Sequence, residues 1–348
     1  MSRYRLRHGL VGIVWLCGWT GLATAQTTTV QSASVLVFPR VVVSGTWDTI
    51  IQIGNTANRP AYARCYYVDG GSWAPTNFSL TLFHQQPTHW VASRGRAVDP
   101  DDPECQPTTD NCDGAGWDPG LVPAVGPGFS GELRCVEVDA SGAPWSGNAL
   151  TGVATLIHLA SGEVVKYAGV GLQGFETNNA DTALCLGGDM RAGCQHGAEY
   201  AGCPEAWIVS HPADFDDRAV NGDARSTSIT VVPCPEDFGT ATPASLLLQF
   251  RLTNEFEETF SAATTITCWG DVRLSDVSPV FQRDTLGSNW VQTTVRSAGE
   301  DASGFIVTQQ STRETAFLAT FAAAATVPPH ETAPLGSDLV VLPQEVGQ

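Results

Sequence analysis

The chain has 348 residues, of which 43% are apolar, and its formal net charge is −18. This length predicts two domains, each large enough to bury a sizeable core. A surface this negative repels phosphate backbones, which argues against a nucleic-acid partner. Beyond the N-terminus no apolar run approaches the length of a membrane span, so we expect none in the mature chain.

Residues 1–25 have the three parts of a secretory signal peptide: a basic start, an apolar run over 10–22 and small residues before the cleavage site. Cleavage is expected after Ala25. A lipid anchor on Cys17 is the alternative, and the bulky Leu16 before it argues against that. Cleavage removes three arginines and no acid, so the net charge falls from −18 to −21. We expect a secreted protein that is periplasmic, extracellular or bound to the cell surface.

Residues 26–175 are predicted to form a first β-domain. Apolar and polar residues alternate in its short segments, as in Phe78, Leu80 and Leu82, and turn-forming clusters separate them. Short alternating strands with frequent turns predict an antiparallel sandwich. The predicted strands are 34–38, 49–53, 61–68, 78–83, 90–93, 132–138, 153–159 and 164–170.

Nine cysteines follow the signal peptide, and export places them where disulfides persist. None has the C-x-x-C spacing of a zinc or redox site. Cys65 and Cys135 lie on two predicted core strands and are expected to be bonded. The other expected pairs are Cys105 with Cys112, Cys185 with Cys194, and Cys234 with Cys268. The odd count leaves Cys203, either as a buried inert thiol or in an intermolecular bond.

An acidic loop over 97–120 is the first candidate for a metal site. It has no basic residue after Arg96, and calcium requires six to eight oxygen ligands of the kind that carboxylates and turn carbonyls supply. The spacing does not match an EF-hand, so a solvated acidic loop without cofactor is the alternative. The candidate calcium ligands are Asp99, Asp101, Asp102, Asp110 and Asp113.

Residues 176–227 form a connector rich in glycine and aspartate that carries cysteines. Its acidic run, from Asp214 to Asp223, is a second and weaker calcium candidate. His211 near Asp214 is the nearest approach to a ligand or base pair, but it has no third partner. We see no H-E-x-x-H motif and no G-x-S-x-G elbow, so we expect no enzyme.

Residues 228–327 are predicted to form a second β-domain, followed by a fraying tail over 328–348. The order of its segments repeats that of the first domain: an apolar strand ending in proline, an alternating strand ending in asparagine, a cysteine and a tryptophan. These segments resemble the immunoglobulin-like modules that occur in tandem in secreted and surface proteins of bacteria. Residues 250–269, with the turn Asn254-Glu255-Phe256-Glu257-Glu258, look like those of a group of uncharacterised secreted bacterial proteins. The resemblance implies an all-β fold of two tandem immunoglobulin-like antiparallel β-sandwich domains, and implies no catalytic residue.

Tryptophans supply the last candidate site. Trp73, Trp117 and Trp145 lie among turn-forming residues, where an exposed ring can stack on a sugar. The alternative is that these rings fold back onto their domain, and Trp90 and Trp290, on repeated strands, are expected in the core. The sequence thus favours a non-catalytic structural or extracellular interaction protein. A carbohydrate-binding accessory protein is the second hypothesis and a secreted hydrolase the third.

Overall fold

The computed structural model describes residues 27–28, 30–98, 118–175, 179–187, 194, 197–240, 242–298, 303–315, 318–326 and 338–343. The protein is nearly all β, with 59% strand and 6% helix, which agrees with the all-β part of the expectation. The first strands are β1 Thr27–Thr28, β2 Val35–Val42, β3 Trp47–Asn55, β4 Ala61–Asp69, β5 Pro75–Leu82, β6 Pro87–Val91, β7 Ser130–Val138, β8 Leu150–His158, β9 Val164–Ala168, β10 Val170–Leu172 and β11 Ala183–Leu186. The later strands are β12 Ala206–Pro212, β13 Phe215–Asp217, β14 Asp223–Pro233, β15 Glu236–Asp237, β16 Ser245–Asn254, β17 Thr259–Thr267, β18 Gly270–Arg273, β19 Trp290–Ala298, β20 Phe305–Thr315, β21 Leu318–Thr326 and β22 Asp338–Val341.

Helices are short in the described residues. They are α1 Arg218–Asn221, α2 Leu274–Val277 and α3 Arg283–Leu286, with a 3-10 turn at Pro279–Phe281. Gly222 and Gly287 end α1 and α3 in the left-handed conformation that glycine adopts without steric cost.

The strands form five sheets. Sheet 1 has the order β1-β10-β2-β7-β4-β5, sheet 2 β6-β3-β8-β9, sheet 3 β11-β22-β15 and sheet 4 β12-β19-β16-β17. Sheet 5 has the order β13-β14-β20-β21, with β18 also paired to β14. The five sheets are arranged as a five-bladed β-propeller.

The prediction of two tandem immunoglobulin-like β-sandwich domains, with its tandem repeat, is therefore wrong. One reason is visible in sheet 1, which is buried on both faces. Successive side chains of a strand point to opposite faces, and on β2 Leu36 and Phe38 enter one apolar cluster while Val35 and Val37 enter another. The cluster that contains Val35 and Val37 has members from Val35 to Leu342 along the chain, so the two halves of the chain share a core.

Side-chain contacts also join the two halves. The ring of Tyr66 stacks on that of Phe238, with centroids 4.4 Å apart, and Nε1 of Trp269 donates to the carbonyl of Pro39 at 2.8 Å. A repeated order of apolar segments does not encode such contacts, because the same order is compatible with several ways of packing the sheets.

The C-terminal segment differs from the expected fraying tail. β22 is the central strand of sheet 3, antiparallel to β11 and parallel to β15. Its pairing places Leu184 and Val340 in the shared core. In the described part of the chain, no helix is long and apolar enough to cross a membrane.

Candidate functional site

A polar cleft of about 280 Å³ lies where β13, β14, β18 and β20 of sheet 5 meet α2 and α3. Charged side chains dominate its lining. Four arginines contribute to it, although the whole chain carries twice as many acidic as basic side chains. The arginines are Arg218, Arg225, Arg273 and Arg283. We call this feature the arginine cleft.

Two of these arginines are held by carboxylates at the rim. Arg218 makes two hydrogen bonds to Asp216, of 2.7 and 2.9 Å, and a longer one of 3.3 Å to Glu314. Arg283 donates to Asp217 at 2.8 Å. Each bonded carboxylate raises the pKa of its arginine, and hydrogen bonding to Arg218 lowers the pKa of Asp216 to about 2. Because the pairs around Arg218 are exposed, they orient the rim more than they stabilise the fold.

Arg225 has a different environment. It stands directly opposite Arg313 on β14 and β20, and Arg313 makes two hydrogen bonds to Asp223, of 3.0 and 3.2 Å. Like charges at directly opposed positions of two strands repel. Burial, and then Arg313, lower the pKa of Arg225. In the described residues no carboxylate is bonded to Arg225 or to Arg273.

Phe215 supports the two central guanidinium groups. The guanidinium carbon of Arg283 lies 4.4 Å from the centroid of its ring, and that of Arg225 lies 5.8 Å from it. A cation over an aromatic face is attracted by the ring quadrupole. Phe215 is also the cross-strand partner of Arg225, so the strand register of β13 and β14 places these groups together.

Asp214 forms the floor of the cleft. Its Oδ1 accepts from the amide of Thr227 at 2.7 Å and its Oδ2 accepts from the amide of Ser275 at 3.3 Å. Burial raises its pKa to about 6. Both oxygens are thus engaged in joining β14 to the start of α2, which makes Asp214 a positioning residue for the cleft.

This arrangement has the chemistry of an anion-binding site. Arg225 and Arg273 both line the cleft without a bonded carboxylate, and guanidinium groups bind planar carboxylates through two parallel hydrogen bonds. The expected calcium site in the Asp214 to Asp223 run is wrong, because its side chains bond to arginines or backbone amides instead. In the described residues no group of three or more His, Cys, Asp or Glu side chains is placed to hold a metal ion.

The outer face of sheet 4 is a second candidate surface. It carries Trp290 and Gln292 on β19 and Gln249 and Arg251 on β16. The strand register places Arg251 opposite Thr294 and Gln249 opposite Arg296, and a shallow groove runs over these residues. Trp290 is 56% exposed, so the expectation that it belongs to the core is wrong. Alternate residues of β19 face outward, and Trp290 and Gln292 belong to this exposed set, whereas Val291 points inward.

The tryptophans proposed for sugar contact do not form one platform. Trp73 is only 7% exposed and packs in the core shared by the two halves, so its expected role is wrong. Trp145 is 49% exposed, near the end of sheet 1. Trp117 lies outside the described residues, as do the calcium candidates Asp99, Asp101, Asp102, Asp110 and Asp113 and the cysteines Cys105 and Cys112.

The cysteines pair partly as expected. Cys65 is bonded to Cys135 at directly opposed positions of β4 and β7, and Cys185 is bonded to Cys194. Cys234 is bonded to Cys203, which corrects both the expected bond to Cys268 and the prediction that Cys203 is left over. Cys268 is a buried free thiol whose pKa is raised by burial.

His211 does not pair with Asp214. It is buried, with Nδ1 2.9 Å from the carbonyl of Pro212 and Nε2 2.9 Å from the hydroxyl of Thr293. Burial lowers its pKa to about 4, so the ring is neutral and structural at physiological pH.

Sequence reasoning missed the arginine cleft, whose arginines come from distant segments. One signal was available: five of the fifteen basic side chains after residue 25 (18 less three N-terminal arginines) cluster in this part of the fold. They are Arg218, Arg225, Arg273, Arg283 and Arg313. Their proximity depends on the register of β14 with β18 and β20.

No protein-family model matches this chain, and the comparison with curated proteins gives no match. The resemblance to secreted bacterial proteins is thus untested at the level of family. Three described disulfides, and no membrane-spanning helix in the described ranges, are compatible with an extracellular or periplasmic protein.

Proposed function

We propose that this protein is an exported, non-catalytic interaction protein that holds a carboxylate of a partner protein in the arginine cleft. The observation that carries the proposal is the opposition of Arg225 and Arg313, with a bonded carboxylate on Arg313 alone. A carboxylate bound beside Arg225 would offset its repulsion with Arg313 and would satisfy the donors of this half-buried side chain.

The acidity of the rest of the chain bears on how such a partner would bind. A net charge of −18 repels acidic molecules in general, so an acidic partner gains contact only where positive charge is concentrated. Asp214 joins β14 to the start of α2, and the rim pairs fix Arg218 and Arg283, so part of the cleft is formed before a partner binds, which reduces the entropy cost of binding.

Poly-L-glutamate is a suitable probe, and calorimetric titration at low ionic strength is the measurement. The test variant is Arg225→Gln, and the matched control is Arg251→Gln, which removes the same charge from the outer face of sheet 4. A hydrogen-bonded charge contributes about 1.5–3 kcal/mol, so we expect Arg225→Gln to weaken binding by about 10- to 100-fold. Arg251→Gln should leave the affinity within about twofold. Equal weakening by both variants, or no binding by the unaltered protein, contradicts the proposal.

Carbohydrate binding is the second candidate, and the exposure of Trp290 beside Gln292 favours it. An exposed indole offers apolar area for stacking on a sugar ring, and nearby amides can bond its hydroxyls. Affinity electrophoresis against a set of polysaccharides tests this. Retardation that is lost in Trp290→Ala and kept in Trp145→Ala supports it. Titration with polygalacturonate, a polymer of sugar carboxylates, tests whether the arginine cleft itself binds glycans. Binding that is lost in Arg225→Gln would make the cleft a glycan site, and binding that is lost in Trp290→Ala would place the glycan on the outer face of sheet 4.

Export by the signal peptide is part of the proposal. It is supported by the basic and apolar N-terminal pattern and by the three described disulfides, since such bonds persist in oxidising compartments. N-terminal sequencing of protein from outside the cytoplasm should give Gln26 as the first residue. A retained Arg3, or a lipid on Cys17, contradicts it.

A further inference from the structure

Strand β17 is an edge strand whose own sequence lacks the usual protection of such edges. It ends sheet 4 and, in the described residues, pairs with β16 alone. Its nine residues, Thr-Phe-Ser-Ala-Ala-Thr-Thr-Ile-Thr, include no charged residue and no proline. Natural proteins block long edges with charges, prolines, bulges or covering segments, because a free edge is a template for pairing. The other nine-residue edge strand, β21, lies alongside β9 of sheet 2.

The backbone bonds at the two ends of β17 show which groups face outward. The amide of Asn254 donates to the carbonyl of Glu258 at 3.1 Å, and the amide of Cys268 donates to the carbonyl of Ala244 at 2.7 Å. In an antiparallel ladder, successive residues direct their amides and carbonyls alternately toward and away from the neighbouring strand. Even-numbered residues of β17 therefore bond to β16. The residues that present both amide and carbonyl to the free edge are Thr259, Ser261, Ala263 and Thr265, and Thr267 presents its amide.

The sequence of β17 is close to symmetrical about Ala263. If the strand is paired with a copy of itself running in the opposite direction, Ser261 meets Thr265, Thr259 meets Thr267 and Phe260 meets Ile266. Hydroxyl side chains would thus lie opposite hydroxyl side chains on the outer face. On the inner face an aromatic residue would lie opposite a β-branched one. Such cross-strand pairs are favourable in antiparallel sheets.

We propose that two copies of this protein associate by antiparallel pairing of β17 across a two-fold axis at Ala263. The alternation of hydrogen-bonding groups along β17 fits this axis. Ala263 directs its amide and carbonyl to the free edge, so it would form a hydrogen-bonded pair with Ala263 of the second copy. A two-fold contact of this kind closes on itself and gives a dimer. Sheet 4 of one copy and sheet 4 of the other, each of four strands, would join into one continuous sheet.

Charge favours the antiparallel direction. The turn between β16 and β17 carries Glu255, Glu257 and Glu258. Parallel pairing would place the two acidic turns side by side. Antiparallel pairing separates them by the length of the strand, about 27 Å, which exceeds the Debye length of about 8 Å at physiological salt. Of the neighbouring charges on the outer face, Arg251 lies opposite Ser261 on the adjacent strand β16, and Arg296 lies one strand further in, on β19.

The central pairs contribute most to this association. At the 265–267 end, β17 borders a groove shared with Gly70 and Gly71 of the turn after β4, and the carbonyl of Thr267 accepts from the amide of Trp269. The centre of the proposed interface, from Ser261 to Thr265, lies away from the Trp269 bond, and only its Thr265 end borders the groove. A short interface predicts a weak, concentration-dependent dimer.

The first test compares Ala263→Lys, Ala263→Glu and Gln249→Lys with the unaltered protein by sedimentation equilibrium. Like charges would face each other on the axis in either Ala263 variant, and we expect the association constant to fall at least about tenfold. A mixture of the two Ala263 variants should regain dimers, because Lys then faces Glu. Gln249→Lys, on the adjacent strand of the same face, should behave as the unaltered protein. Circular dichroism confirms folding of each variant.

The second test is disulfide trapping. Residues of a hydrogen-bonded antiparallel pair lie about 5.5 Å apart at Cα, which is within the span of a disulfide. Ala263→Cys should form a covalent dimer on mild oxidation, and Gln249→Cys should not. A monomeric unaltered protein at high concentration, equal trapping of both cysteines, or mixed charge variants that stay monomeric would each overturn the proposal. Pairing of β17 with a foreign strand while the protein alone stays monomeric is also an overturning result.

Discussion

Nε of Arg134 on β7 lies 3.0 Å from Oε2 of Glu236 on β15, and both side chains are almost completely buried. Arg134 also donates to the carbonyls of Cys234 at 2.8 Å and Pro233 at 3.1 Å. Glu132 lies on its other side, with Oε1 at 3.4 Å. This buried cation therefore joins the N-terminal half of the chain to the loop that follows β14.

Arg134→Ala should be strongly destabilising. Removing one partner of a buried ion pair leaves uncompensated charge, which costs about 3–5 kcal/mol. Urea unfolding followed by fluorescence measures the loss. The exposed pair supplies the control: Arg218→Ala removes bonds to Asp216 and Glu314, which water screens, and should change stability far less than Arg134→Ala does. Equal effects of the two variants would contradict the role of Arg134.

Asp214 should make the protein less stable as the pH rises. Its folded-state pKa, about 6, exceeds the ordinary aspartate value of 3.8, so the folded protein binds the proton more tightly than the unfolded chain does. The stabilising contribution is complete below pH 3.8 and disappears as the pH passes 6. Asp214→Asn should remove up to about 3 kcal/mol of this pH dependence. Unfolding free energies of both proteins at several pH values between 4 and 7 measure it, and parallel curves would contradict the prediction.

His211 should act in the opposite direction over nearly the same range. Burial lowers its pKa from 6.5 to about 4, so the unfolded chain binds the proton more tightly and stability falls as the pH drops from 6.5 to 4. His211→Gln should abolish that loss, up to about 3 kcal/mol. Comparing His211→Gln with Asp214→Asn separates the two contributions to the pH dependence of the unfolding free energy, which partly cancel in the unaltered protein. A pH dependence unchanged by His211→Gln would show that the buried ring has no part in it.

The bond between Cys203 and Cys234 should be found by non-reducing peptide mapping, with Cys268 alkylated only after unfolding. In the chain-entropy model, closing a loop with a sequence separation of 31 contributes about 3.7 kcal/mol. Replacing both cysteines by alanine should lower the unfolding free energy by a similar amount. Cys268→Ser should leave the disulfide map unchanged. A linked Cys234–Cys268 peptide would contradict this assignment.

Local patterns predicted much of the secondary structure. Alternation placed Phe78, Leu80 and Leu82 on one face of a strand, and all three lie in one apolar cluster, while the bonded pair Cys65 and Cys135 lies on strands that the apolar pattern located. Such predictions depend on neighbours in sequence. They could not extend to the Cys203–Cys234 bond, because the sequence near Cys203 does not indicate which distant strand lies beside it.

Trp73 and Trp290 show the limit of residue-type arguments. Trp73 lies in a turn, where it adopts a φ of 61°. Its ring is nevertheless buried. Trp290 lies on a strand, yet it faces outward. Whether a ring is buried depends on which face another sheet covers, and neighbouring residues do not carry that information.

By itself the sequence determined an acidic, nearly all-β chain, since these properties follow from composition and residue alternation, and its N-terminal pattern predicts export. Only the tertiary structure decided that five sheets form a propeller, that Arg225 opposes Arg313 and that β17 is left at an edge. These features depend on strand register and on which sheets pack together. Both are set by contacts between residues far apart in the chain, such as Arg134 and Glu236, and many arrangements share the same local pattern.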